Sequence, residues 1–392
     1  MWNFEYYTPT KVVFGKDTEM QVGGLVLQSG GKKVLLHYGG GSVVKSGLLE
    51  RVKSALNKEN IPFVELGGVV PNPHLSKVYE AVELCKKEQV DFILAIGGGS
   101  VIDSAKATAL SLANDRDAWE FYSGKAQAES CLPIGAILTI AAAGSEMSNS
   151  SVITNSDTLQ KRGYVTDLCR PKFAILNPEL TYTLSDFQTA CGCADILMHA
   201  MERYFSKEKE TELRDGISEA LMRTVLHYAK VLKKNPQDYN ARAQVMWAGS
   251  MAHNDLLGPR QNGDWACHQL EHELSGVYDV AHGAGLSAIW GSWARYVYAE
   301  DVSRFVQFAV NVFGIKHNFY SLKEIALEGV KAMEDFYTSI DLPISISELG
   351  ITLSDENIKK LAFMCSFEGK RTIGAFKVLN QEDMEKIYRM AR

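Results

Sequence analysis

The sequence predicts an α/β domain followed by an all-α domain, and two observations indicate this combination. Up to about residue 185, short apolar strand candidates alternate with amphipathic segments. Beyond that point, long segments with helical period follow one another, and prolines fall only at their boundaries. Strands that are apolar on both faces are typical of a parallel sheet covered by helices. We therefore assign residues 1–185 to a parallel-sheet domain and residues 186–392 to a helical domain.

The first half follows a β-turn-α rhythm. Its predicted elements are a strand at 32–37, a helix at 43–60, a strand at 62–66, a helix at 75–89, a strand at 92–96, a helix that opens at Val101 and a strand at 134–140. Residues 4–14 form a further strand candidate, either at an edge of this sheet or against a partner subunit.

The second half is read as helices throughout. Leu184-Ser185-Asp186 offers an N-cap for the first of them. The predicted helices cover 186–205, 211–233, 238–257, 263–275, 283–298, 300–313, 321–340, 354–366 and 381–391.

Composition excludes several classes of protein. The chain has 392 residues, of which 46% are hydrophobic and 22% charged, as in an ordinary globular protein. With 41 basic and 47 acidic residues the net charge is −6, which argues against nucleic acid or an anionic membrane as the main partner. Seven unevenly spaced cysteines do not fit a disulfide scaffold. The longest apolar stretch, 131–144, is too short to span a bilayer. We expect a cytoplasmic protein.

Two identical glycine-rich turns are the first candidates for a binding site. Gly97-Gly98-Gly99-Ser100 follows an apolar strand and opens a helix, where a pyrophosphate would meet close backbone and helix N–H groups. A tight turn without a ligand is the competing interpretation. The turn alone does not decide between them.

The other turn, which comes first along the chain, bears on the choice of cofactor. Gly39-Gly40-Gly41-Ser42 stands where many dinucleotide-binding proteins carry an acidic residue that selects the ribose 2′-hydroxyl. No acid follows this strand until Glu50. Small residues with free N–H groups accommodate a phosphate, so the sequence favours NADP(H) over NAD(H), the alternative being a simple solvent-facing turn.

Histidines in the second half are spaced as metal ligands. Asp195 and His199 lie four residues apart on one predicted helix, and His268 and His272 lie four apart on a later one, with His282 shortly after. Any one of these alone is more commonly an ordinary buried or surface residue. An Asp-His-His-His set suits a divalent cation such as Zn²⁺ or Fe²⁺.

Taken together, these motifs identify a family. The sequence resembles the iron-dependent (group III) alcohol dehydrogenases, and within them the butanol dehydrogenase branch of NADPH-dependent aldehyde reductases, over essentially the whole chain. The matching motifs are Tyr38 with the first GGGS turn, Pro71-Asn72-Pro73, residues 97–106, Gly144-Ser145-Glu146-Met147, residues 194–202 and residues 265–283.

The resemblance implies a Rossmann-like N-terminal domain and a helical C-terminal domain, together of dehydroquinate synthase-like type, that act as a homodimer on a small aldehyde or alcohol. Asp195, His199, His268 and His282 match the metal ligands of the family, and His272 matches a histidine beside the metal, which we regard as a proton relay. The expected cofactor contacts are Gly39, Gly40, Gly41, Ser42, Asn72, Gly97, Gly98, Gly99, Ser100, Asp103, Thr139 and Lys161.

Some alternatives stay open at this point. An NAD-dependent glycerol- or lactaldehyde-type dehydrogenase is the nearest one, followed by a metal-dependent hydrolase and a non-catalytic nucleotide-binding protein. Three cysteines flank the expected ligands, namely Cys191, Cys193 and Cys267. They could be alternative metal ligands or oxidation-sensitive thiols, but the favoured interpretation is that they are buried apolar residues. Glu202 is expected to support a ligand.

Overall fold

The computed structural model describes residues 3–259, 263–317 and 321–392, which divide into two compact units. The first unit is Tyr7–Leu184. The second is Ser185–Arg392 together with the described residues that precede Tyr7. The predicted division placed those few N-terminal residues in the first domain, whereas in the structure they group with the helical unit.

The first unit is built on a parallel sheet. Its described strands are β1 (Lys11–Phe14), β2 (Val34–Tyr38), β3 (Phe63–Leu66), β4 (Phe92–Gly97), β5 (Ile134–Leu138), β6 (Ser150–Asn155), β7 (Gln160–Val165) and β8 (Phe173–Leu176). Six of them form a sheet in the order β1-β8-β5-β4-β2-β3, and every pairing in it is parallel. Of the strand candidate at 4–14, only the last four residues form a strand, which pairs with β8 at an edge of this sheet. Strands β6 and β7 form a separate antiparallel pair that the sequence analysis did not predict.

Helices connect the strands of this sheet. They are α1 (Val22–Gln28), α2 (Ser42–Lys45), α3 (Leu48–Lys58), α4 (Leu75–Glu88), α5 (Gly99–Asn114) and α6 (Ala118–Tyr122). The single helix predicted at 43–60 is two helices, because Gly47 has a φ of 72° and interrupts the helical backbone.

Apolar packing explains why the sheet forms. Every residue of β4 is buried, and Phe92 and Phe173 stack across neighbouring parts of the core with ring centroids 6.0 Å apart. One face of the sheet packs Leu36, Leu94 and Ile137 against helices such as α3. A second apolar cluster lies around α4, α5 and α6. Burial on both faces confirms the predicted α/β architecture.

The second unit is helical in its described part, as predicted. Its helices are α7 (Asp186–Tyr204), α8 (Glu212–Lys234), α9 (Tyr239–Ala252), α10 (Ala266–Tyr278), α11 (His282–Val297), α12 (Val302–Phe313), α13 (Leu322–Ser339), α14 (Asp355–Cys365) and α15 (Gln381–Ala391). Aromatic rings fill its core; Phe205 and Phe305, for example, stack with centroids 4.5 Å apart. None of the helices within the described residues combines the length and apolarity that crossing a membrane requires.

A buried histidine on β2 gives the first unit a predictable response to acid. His37 is inaccessible to solvent, its Nε2 atom lies 2.9 Å from Ser104 Oγ, and burial lowers its pKa to about 4. The unfolded chain takes up this proton below its ordinary pKa of 6.5, and the folded chain does so only near 4. The stability that depends on neutral His37 is therefore complete above pH 6.5 and is lost as the pH falls toward 4, by up to about 3 kcal/mol.

We expect His37→Gln to lose less unfolding free energy than the wild type between pH 7 and pH 4.5, as measured by urea denaturation. His227→Gln, at an exposed position on α8, is the control and should follow the wild type. Parallel pH profiles for wild type and His37→Gln would refute the assignment.

Candidate active site

Helix α7 presents three acidic or imidazole side chains on one face. Ser185 caps the helix as predicted, and it forms a capping box with Gln188. Asp195, His199 and Glu202 follow at i, i+4 and i+7, a spacing that places them on the same side of an α-helix. All three are buried.

Helices α10 and α11 bring in the other histidines. His268 lies in the first turn of α10, and His282 is the first residue of α11. The chain reverses between them within a few residues, since Asp279 ends α10 in the left-handed conformation with a φ of 52°. Gly283 permits a close approach to α7, because a Cβ built there would lie 2.1 Å from the carbonyl oxygen of Cys191.

The side chains from these three helices converge on one atom. Asp195 Oδ1 lies 3.3 Å from His199 Nε2, 3.8 Å from His268 Nε2 and 3.8 Å from His282 Nε2. Asp195, His268 and His282 together form a group whose possible ligand atoms lie within 4.8 Å of one another. The structure thus brings together all four residues that the sequence nominated as metal ligands.

The arrangement fits a divalent cation. Ligand bonds of about 2.0–2.2 Å in a tetrahedral site place neighbouring donor atoms about 3.3–3.6 Å apart, close to the distances here. Among the described residues, Asp195 Oδ1, His199 Nδ1 and His268 Nε2 are buried and have no hydrogen-bond partner. A buried carboxylate oxygen and imidazole nitrogen that face each other unpaired are costly, and a cation between them removes the cost.

Burial and neighbouring charges act on the histidines in opposite directions. Burial and the adjacent His253 and His268 lower the pKa of His199 well below its ordinary value, which keeps this ring neutral, as a ligand must be. Burial also lowers the pKa of His268, but the hydrogen bond to Glu202 and the negative charges of Glu202 and Asp195 outweigh it, and the net shift is upward. His282 is the most accessible of the set, with 25% of its side chain exposed.

Two further carboxylates surround the cluster. Glu202 Oε1 lies 3.0 Å from His268 Nδ1, and Glu271 Oε2 contacts His282 Nδ1. The sequence analysis named Glu202 but missed Glu271. The available signal was its position three residues after His268, on the same face of α10.

His272 and the cysteines lie beside the cluster. The His272 ring centroid is 5.8 Å from that of His282, and His272 is not in the group formed with Asp195. No cysteine belongs to any candidate metal group among the described residues. Burial raises the pKa of the Cys191 and Cys193 thiols to about 12 and raises the pKa of the Cys267 thiol well above its ordinary value, so all three are protonated at neutral pH.

In the first unit, both glycine-rich turns lie at the same edge of the sheet. Tyr38 and Ile96 are paired in the β2–β4 register, and the two turns begin immediately after them. Strand β2 is followed along the chain by β3 on one side, and β4 by β5 on the other, so the turns flank a reversal of strand order. Crevices at such points are where open α/β sheets bind nucleotides.

The glycines of the two turns have different surroundings. A Cβ on Gly97 would lie 2.5 Å from Val101 Cγ2, and one on Gly98 would lie 2.0 Å from Ile140 Cγ2, so packing within the unit already requires glycine at both positions. Gly99 and Gly41 have ordinary contacts, and Gly39 has a close one at 3.4 Å. Gly40 is open, with nothing within 4 Å of a built Cβ.

The remaining expected cofactor residues lie around this edge. Lys161 Nζ donates a hydrogen bond to Asn72 Oδ1 at 3.0 Å, and both residues are buried. The Thr139 N–H donates to the Gly97 carbonyl at 3.0 Å, and Ser42 and Ser100 lie in the first turns of α2 and α5. The Asp103 carboxylate accepts hydrogen bonds from Ser145 Oγ and the Val152 N–H, so it also anchors the segment that leads into β6.

Both halves of the chain match models of one protein family. The iron-containing alcohol dehydrogenase model matches residues 9–178, and the C-terminal model of the Fe-containing alcohol dehydrogenase family matches 189–392. The chain is 40% identical to the NADH-dependent butanol dehydrogenase A of Clostridium acetobutylicum over 99% of both chains. It is 32% identical to the NADPH-dependent aldehyde reductase YqhD of Escherichia coli over the full length of both.

A solved structure is similarly close. The NADH-dependent butanol dehydrogenase A of Thermotoga maritima superposes with a TM-score of 0.95 at 39% identity, covering 99% of this chain and 98% of the other. Both halves of the chain are matched, and the fold and the predicted family are confirmed together. The chain belongs to the iron-containing alcohol dehydrogenase family.

Proposed function

We propose that this chain catalyses reversible hydride transfer between NADP(H) and a short- to medium-chain aldehyde or its primary alcohol. One divalent ion, Fe²⁺ or Zn²⁺, would be held by Asp195, His199, His268 and His282. The observation that carries the proposal is the convergence of three imidazole Nε2 atoms on the otherwise unpaired Asp195 Oδ1. The relatives' names, butanol dehydrogenase and aldehyde reductase, support the substrate class.

Each residue of the centre has a defined task in this proposal. When bound, the ion supplies Lewis-acid stabilisation of the negative charge that develops on the substrate oxygen. Asp195 balances part of the ionic charge, and the buried rings of His199 and His268 keep water from the inner side of the site. His272 lies beside His282 and is the proposed group that passes a proton toward the substrate oxygen, through water or the cofactor ribose.

The choice between NADP(H) and NAD(H) depends on two observations that favour opposite answers. The open, uncharged Gly40 supports NADP(H), since nothing there repels a 2′-phosphate. The names of the relatives at 40% identity support NAD(H) as the second candidate. We retain NADP(H) because Gly40 is the residue proposed to face the 2′-phosphate, and this phosphate is the group that distinguishes NADP(H) from NAD(H).

Gly40→Asp tests this preference directly. The substitution adds no clash, and Gly40 is not among the positive-φ glycines, so the variant should fold normally. We expect the ratio of kcat/KM for NADPH over that for NADH to fall at least about tenfold, equivalent to about 1.4 kcal/mol. The new carboxylate would repel the 2′-phosphate and accept a hydrogen bond from a ribose hydroxyl.

Gly40→Ala is the matched control, since it adds a Cβ without charge. Its cofactor ratio should stay at the wild-type value. An unchanged ratio in Gly40→Asp would place the 2′-phosphate elsewhere.

The activity itself is tested on metal-loaded protein. Loss of NADPH absorbance in the presence of butanal, followed over a panel of aldehydes of increasing length, should show turnover that stops on chelation. A metal-dependent hydrolase would hydrolyse an ester panel with no use for either nicotinamide cofactor, and a non-catalytic protein would bind cofactor without turnover. We propose that the active protein is a cytoplasmic homodimer. Analytical ultracentrifugation can measure the number of chains in the assembly.

A further inference from the structure

Two buried carboxylates outside the proposed ligand set each contact a ligand histidine. Glu202 is 2% exposed, and its Oε1 atom accepts hydrogen bonds from both the side chain and the backbone N–H of His268, at 3.0 and 3.1 Å. Glu271 is fully buried and contacts His282 Nδ1. We infer that Glu202 and Glu271 are positioning residues that fix the tautomer and orientation of these rings, and so determine how tightly the centre binds its ion. This inference rests on the proposed metal centre.

The chemistry of the contacts determines the tautomer. An ionised carboxylate only accepts hydrogen bonds, so the Nδ1 atoms of His268 and His282 must carry the protons and donate them. In the neutral rings, the Nε2 atoms are then left with free lone pairs. Those are the two atoms that lie 3.8 Å from Asp195 Oδ1. The opposite tautomer would direct an N–H group at the ion and prevent coordination.

The two carboxylates are themselves held in place. The Ser275 hydroxyl donates to Glu271 Oε1, one turn further along α10. On α11, Gly285 leaves room for the carboxylate, because a Cβ there would lie 2.8 Å from Glu271 Cγ. Glu202 is fixed by its second hydrogen bond, to the His268 backbone. Both acceptors are therefore held in position by contacts within the chain itself.

The ring of His199 is oriented in a different way from those of His268 and His282. Its Nδ1 atom has no hydrogen-bond partner among the described residues, and its ring instead stacks on His253 with centroids 4.1 Å apart. Two of the three imidazoles are thus oriented by a carboxylate and one by ring packing. Replacing the carboxylates should therefore weaken the centre without dismantling it.

Glutamine substitutions isolate the role of the charge. Glu271→Gln and Glu202→Gln keep the side-chain shape, but the amide can donate to Nδ1 and stabilise the wrong tautomer. We expect each variant, first stripped of metal, to bind Zn²⁺ about 10- to 100-fold more weakly than the wild type in competition with a chromophoric chelator. Co²⁺ should also give a changed visible spectrum, because the ligand field depends on ring orientation.

Glu219→Gln is the matched control. Glu219 is a buried glutamate on α8 that accepts hydrogen bonds from Tyr204 and Asn311 and contacts no proposed ligand. This variant should unfold at a lower temperature than the wild type and still bind Zn²⁺ with wild-type affinity. A purely structural role for Glu202 and Glu271 would give the same pattern in their own variants.

The tautomer has an independent readout. Nitrogen-15 NMR of zinc-loaded protein labelled at histidine should find Nδ1 protonated in His268 and His282. Wild-type Zn²⁺ affinity in both glutamine variants, or protonated Nε2 atoms in the loaded wild type, would overturn the inference. A wild-type chain that binds no Zn²⁺ at all would instead remove the proposed centre, and this inference with it.

Discussion

His268→Ala is expected to lose the bound metal and to slow aldehyde-dependent NADPH oxidation by about a thousandfold or more, since a bound Lewis acid contributes several kcal/mol to the transition state. His268 is one of three rings that face Asp195 Oδ1, at 3.8 Å, and its Nδ1 atom donates a hydrogen bond to Glu202. Removing it takes one imidazole partner away from each of the two buried carboxylates and leaves an incomplete ligand set. Elemental analysis and the absorbance assay measure the two effects separately.

His272→Ala is the informative comparison for this prediction. His272 lies one turn further along α10 and outside the group formed with Asp195. This variant should keep its metal and lose only turnover rate, because a proton relay acts after the ion is bound. Added metal should not restore His268→Ala. Full activity in His268→Ala would rule out His268 as a ligand. Metal loss in His272→Ala would make His272 a ligand instead of a proton relay.

Gly283→Ala is expected to be the most damaging methyl addition near the centre. The new Cβ would lie 2.1 Å from the Cys191 carbonyl oxygen and 2.7 Å from the Cys191 Cα. Backbone on α7 cannot move aside as a side-chain end can, so α11 must shift and carry His282 away from Asp195. We expect the free energy of unfolding to fall by about 3 kcal/mol, as for severe overpacking, and Zn²⁺ affinity to fall with it. Urea denaturation and chelator competition provide the two measurements.

Gly216→Ala is the control for that substitution. Gly216 is also helical, within α8, and a Cβ there would meet nothing within 4 Å. Alanine should therefore stabilise the protein by about 0.5–1 kcal/mol through helix propensity alone. Equal stability changes at the two glycines would mean that α7 and α11 do not approach as closely as described.

The elements that the sequence predicted well are those whose signal is local. Ser185 marks the start of α7 through its capping box, and the unbroken apolar run of β4 is recognisable because both its faces are buried. Local signal was missing elsewhere. Strands β6 and β7 are mostly polar and form a two-stranded sheet of their own, so hydrophobic periodicity did not reveal them. The break at Gly47 depends on a backbone conformation that hydrophobic spacing does not encode.

In the candidate site, too, some features had a local sequence signal and others did not. Spacing on one helix could pair Asp195 with His199, and family motifs supplied His268 and His282. The meeting of the three histidines at Asp195 Oδ1 is a feature of the tertiary structure that spacing along the chain does not encode. It depends on the turn at Asp279. Glu271 escaped notice because a glutamate in a helix is usually a surface residue. Its position three residues after His268 gained significance only once the structure showed it buried against His282.

The pairing of β1 with β8 has a consequence for synthesis on the ribosome. Strand β1 leaves the exit tunnel before every other strand of its sheet, yet it hydrogen-bonds only to β8 within the six-stranded sheet. A nascent chain that stops before Phe173 thus exposes the open edge of β5 and leaves β1 without its neighbour, a state prone to mispairing. The inner strands that carry both glycine-rich turns, β2 and β4, are adjacent and complete much earlier. All four proposed metal ligands are translated after β8, so a nascent chain can pair the strands that carry both glycine-rich turns before any residue of the proposed metal centre exists.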